Sequence, residues 1–215
     1  MALKAVFVGI NKHRDSTIPE LSGARRDATA LWALFSDTIP RLSARLLVDE
    51  RATQATVSGA ILGALEAAQD DDVVIISFAG HGSPDGSLVL FDTDAANLSD
   101  TALSMATLAD AFRQTRARAV LCILDCCFSG QAPARVLETA ARPRSAFPLT
   151  GIHGEGRILL AACATTEAAW EQPGTGHGLL TYATIEALTK AAWSAFPRWR
   201  ERSSVSLGSK PKESG

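Results

Sequence analysis

The sequence predicts an α/β fold in which helices flank a mostly parallel central sheet. Three observations carry that expectation. Short β-branched and aliphatic runs alternate with segments whose apolar residues recur at helical spacing, the order that builds βαβ units. The strongest runs are continuously apolar, as strands covered on both faces require. The chain's 215 residues, 47% hydrophobic and 20% charged, supply one core of ordinary domain size.

Taken in order, Lys4 to Ile10 reads as the first strand, and Asn11 to Pro19 as a polar loop. From Gly23 the spacing of Ala24, Ala28, Leu31, Trp32 and Phe35 predicts a helix. Arg45 to Val48 forms a second strand. Thr53 caps a second helix whose apolar face is Val57, Ala60, Ile61, Ala64, Leu65 and Ala68. Asp70-Asp71-Asp72 then ends the helix; a solvated turn is the expectation, in preference to a divalent-cation site. Val73 to Ala79 is the third strand. Ser83-Pro-Asp-Gly-Ser carries turn chemistry, with a small hairpin expected over Leu88 to Phe91. Met105, Leu108, Ala109 and Phe112 mark a third helix, and Ala119 to Leu124 a fourth strand. Gln131 to Gly156 lacks periodicity and reads as a long surface loop, a length that usually means function or disorder. Arg157 to Ala162 is a fifth strand and Gly178 to Ala192 a final helix.

A net charge of −2 gives no electrostatic reason to expect nucleic acid or an acidic membrane as partner. The first ten residues lead straight into a strand pattern and do not read as a signal peptide, and no apolar run is long enough to cross a bilayer. Cys122, Cys126, Cys127 and Cys163 form no C-x-x-C pair, so a structural zinc site is not expected. Adjacent Cys126 and Cys127 are poorly placed to bond one another. Reduced thiols in a cytoplasmic protein follow as the working expectation.

Two strand tips carry the chemistry. One strand ends Ser77-Phe-Ala-Gly-His81-Gly82, the other Leu124-Asp125-Cys126-Cys127-Phe-Ser129-Gly130. If these strands are parallel neighbours, an imidazole and a thiol share one sheet edge, in the crevice beyond the strands' carboxyl ends where α/β proteins bind ligands. An imidazole beside a thiol generates the thiolate nucleophile and later protonates a leaving amine. The oxyanion formed on attack needs donors, and the backbone N–H groups of Gly82 and Cys127 are the candidates. The residues themselves do not choose between Cys126 and Cys127. Each residue also has a bland alternative, a buried thiol or a hydrogen-bonded turn histidine.

These two motifs resemble those of the caspase/metacaspase superfamily of cysteine peptidases. The histidine stretch is similar to that family's histidine motif, and Asp125-Cys-Cys127-Phe-Ser129-Gly130 to the metacaspase-type Asp-x-Cys-x-Ser-Gly motif. Leu21-Ser-Gly-Ala-Arg-Arg-Asp27-Ala28 resembles the family's entry to the first helix, and Gly176-His-Gly-Leu-Leu-Thr-Tyr-Ala its last-helix motif. The resemblance implies a caspase-like three-layer sandwich. It implies a peptidase domain over residues 1–192, with 131–156 as the activation or intersubunit-type loop, and a basic, partly disordered tail over 193–215. It assigns Cys127 as nucleophile and His81 as its partner. It places Asp125 in the pocket for the residue before the scissile bond, with Asp15 a second candidate, so that Arg or Lys is preferred there. Arg135, Arg142 and Arg144 become candidate processing sites, cut by the protein itself or by an upstream peptidase. The expected partners are a protein or peptide substrate and an activating protease or signalling protein, with a role in bacterial signalling or defence. No cofactor or metal is expected; the calcium dependence of many metacaspases is not carried over, because no ligand set is visible.

Some features depart from the family pattern. Phe128 stands where metacaspases often have histidine, and Ser204-Val-Ser-Leu is poor material for a sixth strand. The alternative function is a catalytically silent caspase-fold scaffold acting through partner binding. A cysteine phosphatase would need an arginine six residues after the thiol, where Phe128, Ala132 and Pro133 follow Cys122, Cys126 and Cys127. A dinucleotide-binding glycine loop after the first strand is absent.

Overall fold

A computed structural model describes residues 1–83, 85–126, 155–162 and 176–195. Its main sheet has five parallel strands in the order β2-β1-β3-β6-β7: β1 (Leu3–Gly9), β2 (Ser43–Val48), β3 (Val73–Ala79), β6 (Ala119–Asp125) and β7 (Arg157–Ala161). Two-residue strands β4 (Ser87–Leu88) and β5 (Leu103–Ser104) pair antiparallel beside it. The helices are α1 (Ala24–Thr38), α2 (Gln54–Glu66), the single turn α3 (Leu98–Thr101), α4 (Met105–Gln114) and α5 (Leu179–Ala195). Helices α1 and α5 pack together on one face, and α2 and α4 on the other. The result is the α/β three-layer sandwich expected from the alternating pattern.

Strand parity explains the two cores. Val6 and Val8 of β1, Val74, Ile76 and Phe78 of β3, and Val120, Cys122 and Leu124 of β6 pack with α2 and α4 through Val57, Ile61, Leu65, Leu108 and Phe112. The intervening residues Ala5, Phe7, Ile75 and Ile123 face α1 through Ala28, Leu31 and Phe35, with Leu180 and Ile185 of α5 against them. Side chains of period two on a sheet buried on both faces produce this division. Helix caps follow the sequence: Thr53 Oγ1 accepts from Thr56 N, and Ser104 Oγ accepts from Ala106 N.

Several expectations need correction. The tri-aspartate run is not a solvated turn throughout. Asp72 is buried, and its carboxylate accepts from Ala2 N at 2.6 Å and Gln69 N at 3.1 Å, tying the start of β1 to β3. Those bonds, with Lys4 beside it, hold its pKa below the usual carboxylate value. Asp70 pairs in bidentate fashion with Arg116, both contacts 2.9 Å. The hairpin also shifts. Its arms meet at Gly82 and Leu88, its turn is closed by Gly86 N donating to Ser83 O, and β4 ends at Leu88 because its other partner is β5, fifteen residues on. The final helix continues to Ala195. The stretch Ser204 to Leu207 and nearly all of the 131–156 loop, with Arg135, Arg142 and Arg144, lie outside the described residues.

The close approach of α1 to β1 depends on Gly9. A Cβ there would stand 2.4 Å from the Ala24 carbonyl oxygen and 2.6 Å from the Ala28 Cβ, both on rigid backbone. Gly9→Ala is therefore expected to destabilise the fold by about 1–3 kcal/mol through overpacking. Thermal unfolding should show a melting temperature several degrees below wild type.

Candidate active site

The last residues of four strands form a row. Val48, Gly9, Ala79 and Asp125 are register partners across β2, β1, β3 and β6. Strand order reverses direction at β1: its chain neighbour β2 lies on one side and β3 on the other. That is the topological switch point at which open α/β sheets form their binding crevice. His81 follows Ala79 by two residues, as Cys127 follows Asp125, so the two strand tips predicted to meet are carried by adjacent parallel strands. Such strands lie about 4.8 Å apart. Cys126 follows the last residue of β6, and Cys127 lies outside the described residues.

His81 is 1% exposed. Its Nε2 lies 2.8 Å from the carbonyl oxygen of Pro19. A carbonyl only accepts, so Nε2 carries the hydrogen, and in the neutral imidazole Nδ1 carries the lone pair. Pro19 belongs to the β1–α1 loop, and its role is not legible in the sequence, because a main-chain carbonyl leaves no motif.

Gly82 follows in the bridge to Leu88. The flanking bonds are Ser83 N to Ser87 O at 2.9 Å and Val89 N to His81 O at 3.0 Å. Gly82 and Leu88 are thus a non-hydrogen-bonded pair, and the Gly82 N–H points away from this ladder. The polypeptide leaves that donor aimed off the hairpin.

Asp125 is buried at 1% exposure, and its Oδ2 accepts from Thr181 N at 3.2 Å and Thr181 Oγ1 at 2.7 Å. Asp27 of α1, fully buried, lies 2.7 Å from His177 Nδ1 and accepts from Gly178 N. The first turn of α5 is therefore gripped by two carboxylates, one from the first-helix motif and one from the nucleophile motif. A Cβ on Gly178 would stand 2.1 Å from Asp125 Oδ2, which accounts for glycine there. Sequence spacing alone gives no contact for Asp27, His177 or Thr181.

Asp15 lies in the β1–α1 loop, on the opposite side of His81 from β6. Its carboxylate accepts from Thr17 N, Thr17 Oγ1 and Ala95 N. These bonds hold its pKa below the ordinary value, the Thr17 hydroxyl contributing most.

The thiols differ in setting. Cys122 is wholly buried, and burial pushes its pKa up to about 12, so it does not ionise at neutral pH. Cys126 is 1% exposed and packs in the core shared with α2 and α4. Cys122 behaves as a small apolar side chain. Among the described residues no group of three or more His, Cys, Asp or Glu side chains could hold a metal ion, and no helix is long and apolar enough to cross a membrane.

The Caspase domain family, Peptidase_C14, matches residues 2–201. The chain belongs to this family. Among solved structures it is similar to protein GSU0716 from Geobacter sulfurreducens, with 18% identity over 89% of this chain and 83% of that one, at a TM-score of 0.64. That likeness supports the fold. No curated protein sequence matches. Caspase-domain membership makes cysteine peptidase chemistry the general activity class of the chain.

His13, also in the β1–α1 loop, lies with its ring centroid 5.5 Å from that of His81. Its ring nitrogens are buried. Burial first, and His81 second, push its pKa down to about 4, against the pull of Asp49 and Asp15. A histidine held neutral in the fold must take up a proton on acid unfolding, since its unfolded pKa is near 6.5. The unfolded chain thus binds more protons between those values, and stability falls as pH drops from 6.5 towards 4. The expected loss is about 2–3 kcal/mol for this group. Urea unfolding of wild type and His13→Phe at pH 7 and pH 4.5 should show a smaller acid loss in the variant.

Proposed function

We propose that this chain is a cysteine endopeptidase that cleaves after Arg or Lys, with Cys127 as nucleophile and His81 as its acid–base partner. The observation that carries the reading is the contact of His81 Nε2 with the Pro19 carbonyl oxygen, just past the end of the strand adjacent to β6. With its hydrogen on Nε2, the ring presents Nδ1 as a base.

In the proposed reaction Nδ1 takes the Cys127 proton and the thiolate attacks the scissile carbonyl carbon, forming a C–S bond. The oxygen gains the displaced electron pair, and the N–H groups of Gly82 and Cys127 stabilise it. The imidazolium then protonates the leaving amine as the C–N bond breaks, leaving a thioester. A water molecule, deprotonated by Nδ1, hydrolyses the thioester and regenerates the thiol.

A basic residue before the scissile bond fits carboxylates on both sides of His81. Asp125 at the tip of β6 is oriented by Thr181, and Asp15 is anchored in the β1–α1 loop. The packing of Cys126 into the core supports the choice of Cys127 over its neighbour. Cleavage within 131–156, at Arg135, Arg142 or Arg144, fits the same specificity and is the proposed activation step. The peptidase domain is taken as 1–192 and the tail as 193–215.

Cys127→Ala is expected to reduce peptide hydrolysis to no more than about one thousandth of wild type. Cys126→Ala should leave a folded enzyme with activity within about threefold of wild type. Fluorogenic peptides ending in Arg or Lys should be cut about 100-fold or more faster than those ending in Asp, because an acidic residue would meet like charge. Preference for Asp, or an active Cys127→Ala, would overturn the reading; inactivity of wild type on every peptide would favour the scaffold alternative. Intact-mass measurement during turnover tests activation separately. Fragments cut after Arg135, Arg142 or Arg144 should appear as activity rises, and full activity from an uncut chain would count against the step.

A further inference from the structure

The Nε2 hydrogen bond to Pro19 sets how far the His81 ring stands from the loop. The ring of His13 packs beside it from the same loop. Its centroid lies 5.5 Å from that of His81, with the planes inclined at 41°, within the range of tilted aromatic contacts.

The placement of His13 is itself well determined. On one side of it, Asn11 N and Lys12 N donate to Asp49 Oδ1 at 2.8 and 3.2 Å. On the other, Arg14 N donates to Phe91 O at 2.8 Å. Asp49, just past the end of β2, has a φ of 45°, a left-handed conformation that aspartate tolerates better than most residues. The fold accepts that conformation where the Asp49 carboxylate receives the N–H groups preceding His13. One loop thus presents both a carbonyl and an aromatic ring to His81.

We infer that His13 is a positioning residue for the peptidase reaction, whose ring holds His81 in the plane from which Nδ1 meets the thiol. The inference rests on the roles proposed above for His81 and Cys127. The groups facing His13 are Asp49 from the end of β2, Asp15 from its own loop and His81 from the end of β3; Arg25 of α1 is engaged with Asp49. Burial and His81 outweigh the two carboxylates, so His13 stays uncharged at neutral pH. An uncharged neighbour matters, because a second cation beside His81 would oppose the imidazolium formed when the thiol is deprotonated. His13 works as a ring and contributes no proton.

The test compares wild type, His13→Phe, His13→Ala and His81→Ala in two assays. One is kcat and KM on an Arg-containing fluorogenic peptide. The other is the rate of Cys127 alkylation by iodoacetamide across pH, followed at that residue by peptide mass, which needs no turnover. His13→Phe should keep kcat within about twofold of wild type. His13→Ala should lower kcat about tenfold, as loss of orientation does, with KM little changed and alkylation near neutral pH slowed in step. Thermal unfolding checks that each variant is folded, and His13→Leu replaces the alanine variant if that one is not. Unchanged kcat and alkylation in His13→Ala would overturn the inference. So would a His13→Phe variant as impaired as His13→Ala, which would assign the role to the imidazole's nitrogens. If His81→Ala leaves alkylation unchanged, the dyad itself fails and this inference with it. If His81→Ala slows alkylation and His13→Ala does not, only the inference about His13 fails.

Discussion

Two buried carboxylates hold the start of α5, and the geometry of the sheet edge depends on that grip. Asp27 reaches it from α1 and Asp125 from the tip of β6. Burying an anion costs several kcal/mol unless donors replace its water. The first turn of a helix is a source of such donors, since its N–H groups have no partners within the helix and its dipole favours negative charge. Here Gly178 N serves Asp27, and Thr181 N with its hydroxyl serves Asp125. Removing either carboxylate would leave those donors buried and unmatched. Glycine at 178 lets the helix approach closely enough for both.

This grip couples elements far apart in the chain. Asp27 and Gly178 are 151 residues apart, yet they dock α5 against α1 on the same face of the sheet. Asp125 then ties that docked helix to the strand beside β3. The β1–α1 loop acts from the other side, through the Pro19 carbonyl and the His13 ring. His81 therefore lies between one element fixed by helix docking and another fixed by Asp49, and its near-complete burial follows.

The fold was largely legible in the sequence because burial on both faces leaves a simple signature. The runs at Val73–Ala79 and Ala119–Asp125 are apolar without interruption, and each stops at its polar tip. Parallel strands joined through helices then place both tips at one edge by topology. What stayed hidden were contacts set by tertiary approach. Asp72 sits in a run of three aspartates that looks solvated, and only the arrival of Ala2 buries it. The pairing of Leu88 with Leu103 joins residues fifteen apart, whereas the local pattern points to a small hairpin over Leu88 to Phe91. His13 stands in a polar loop with no periodicity, and its packing on His81 emerges only when β1 and β3 become neighbours. Asp27 and Thr181 stand in stretches that resemble family motifs, but spacing alone says nothing about which side chains meet.

The partner of His81 Nε2 also bears on the chemistry. A carboxylate in that place would stabilise the imidazolium strongly and hold a proton on the ring. The Pro19 carbonyl fixes the tautomer and orientation while adding no charge. That weaker support suits a thiol better than a hydroxyl, because a thiol ionises near pH 8.5 and needs only modest help to become a nucleophile. In the proposed reaction a strongly held proton would slow the later step, in which the same nitrogen returns it to the leaving amine. His81 takes up and gives back a proton in that proposed reaction, and its contacts with the Pro19 carbonyl and the neutral His13 ring add no net charge.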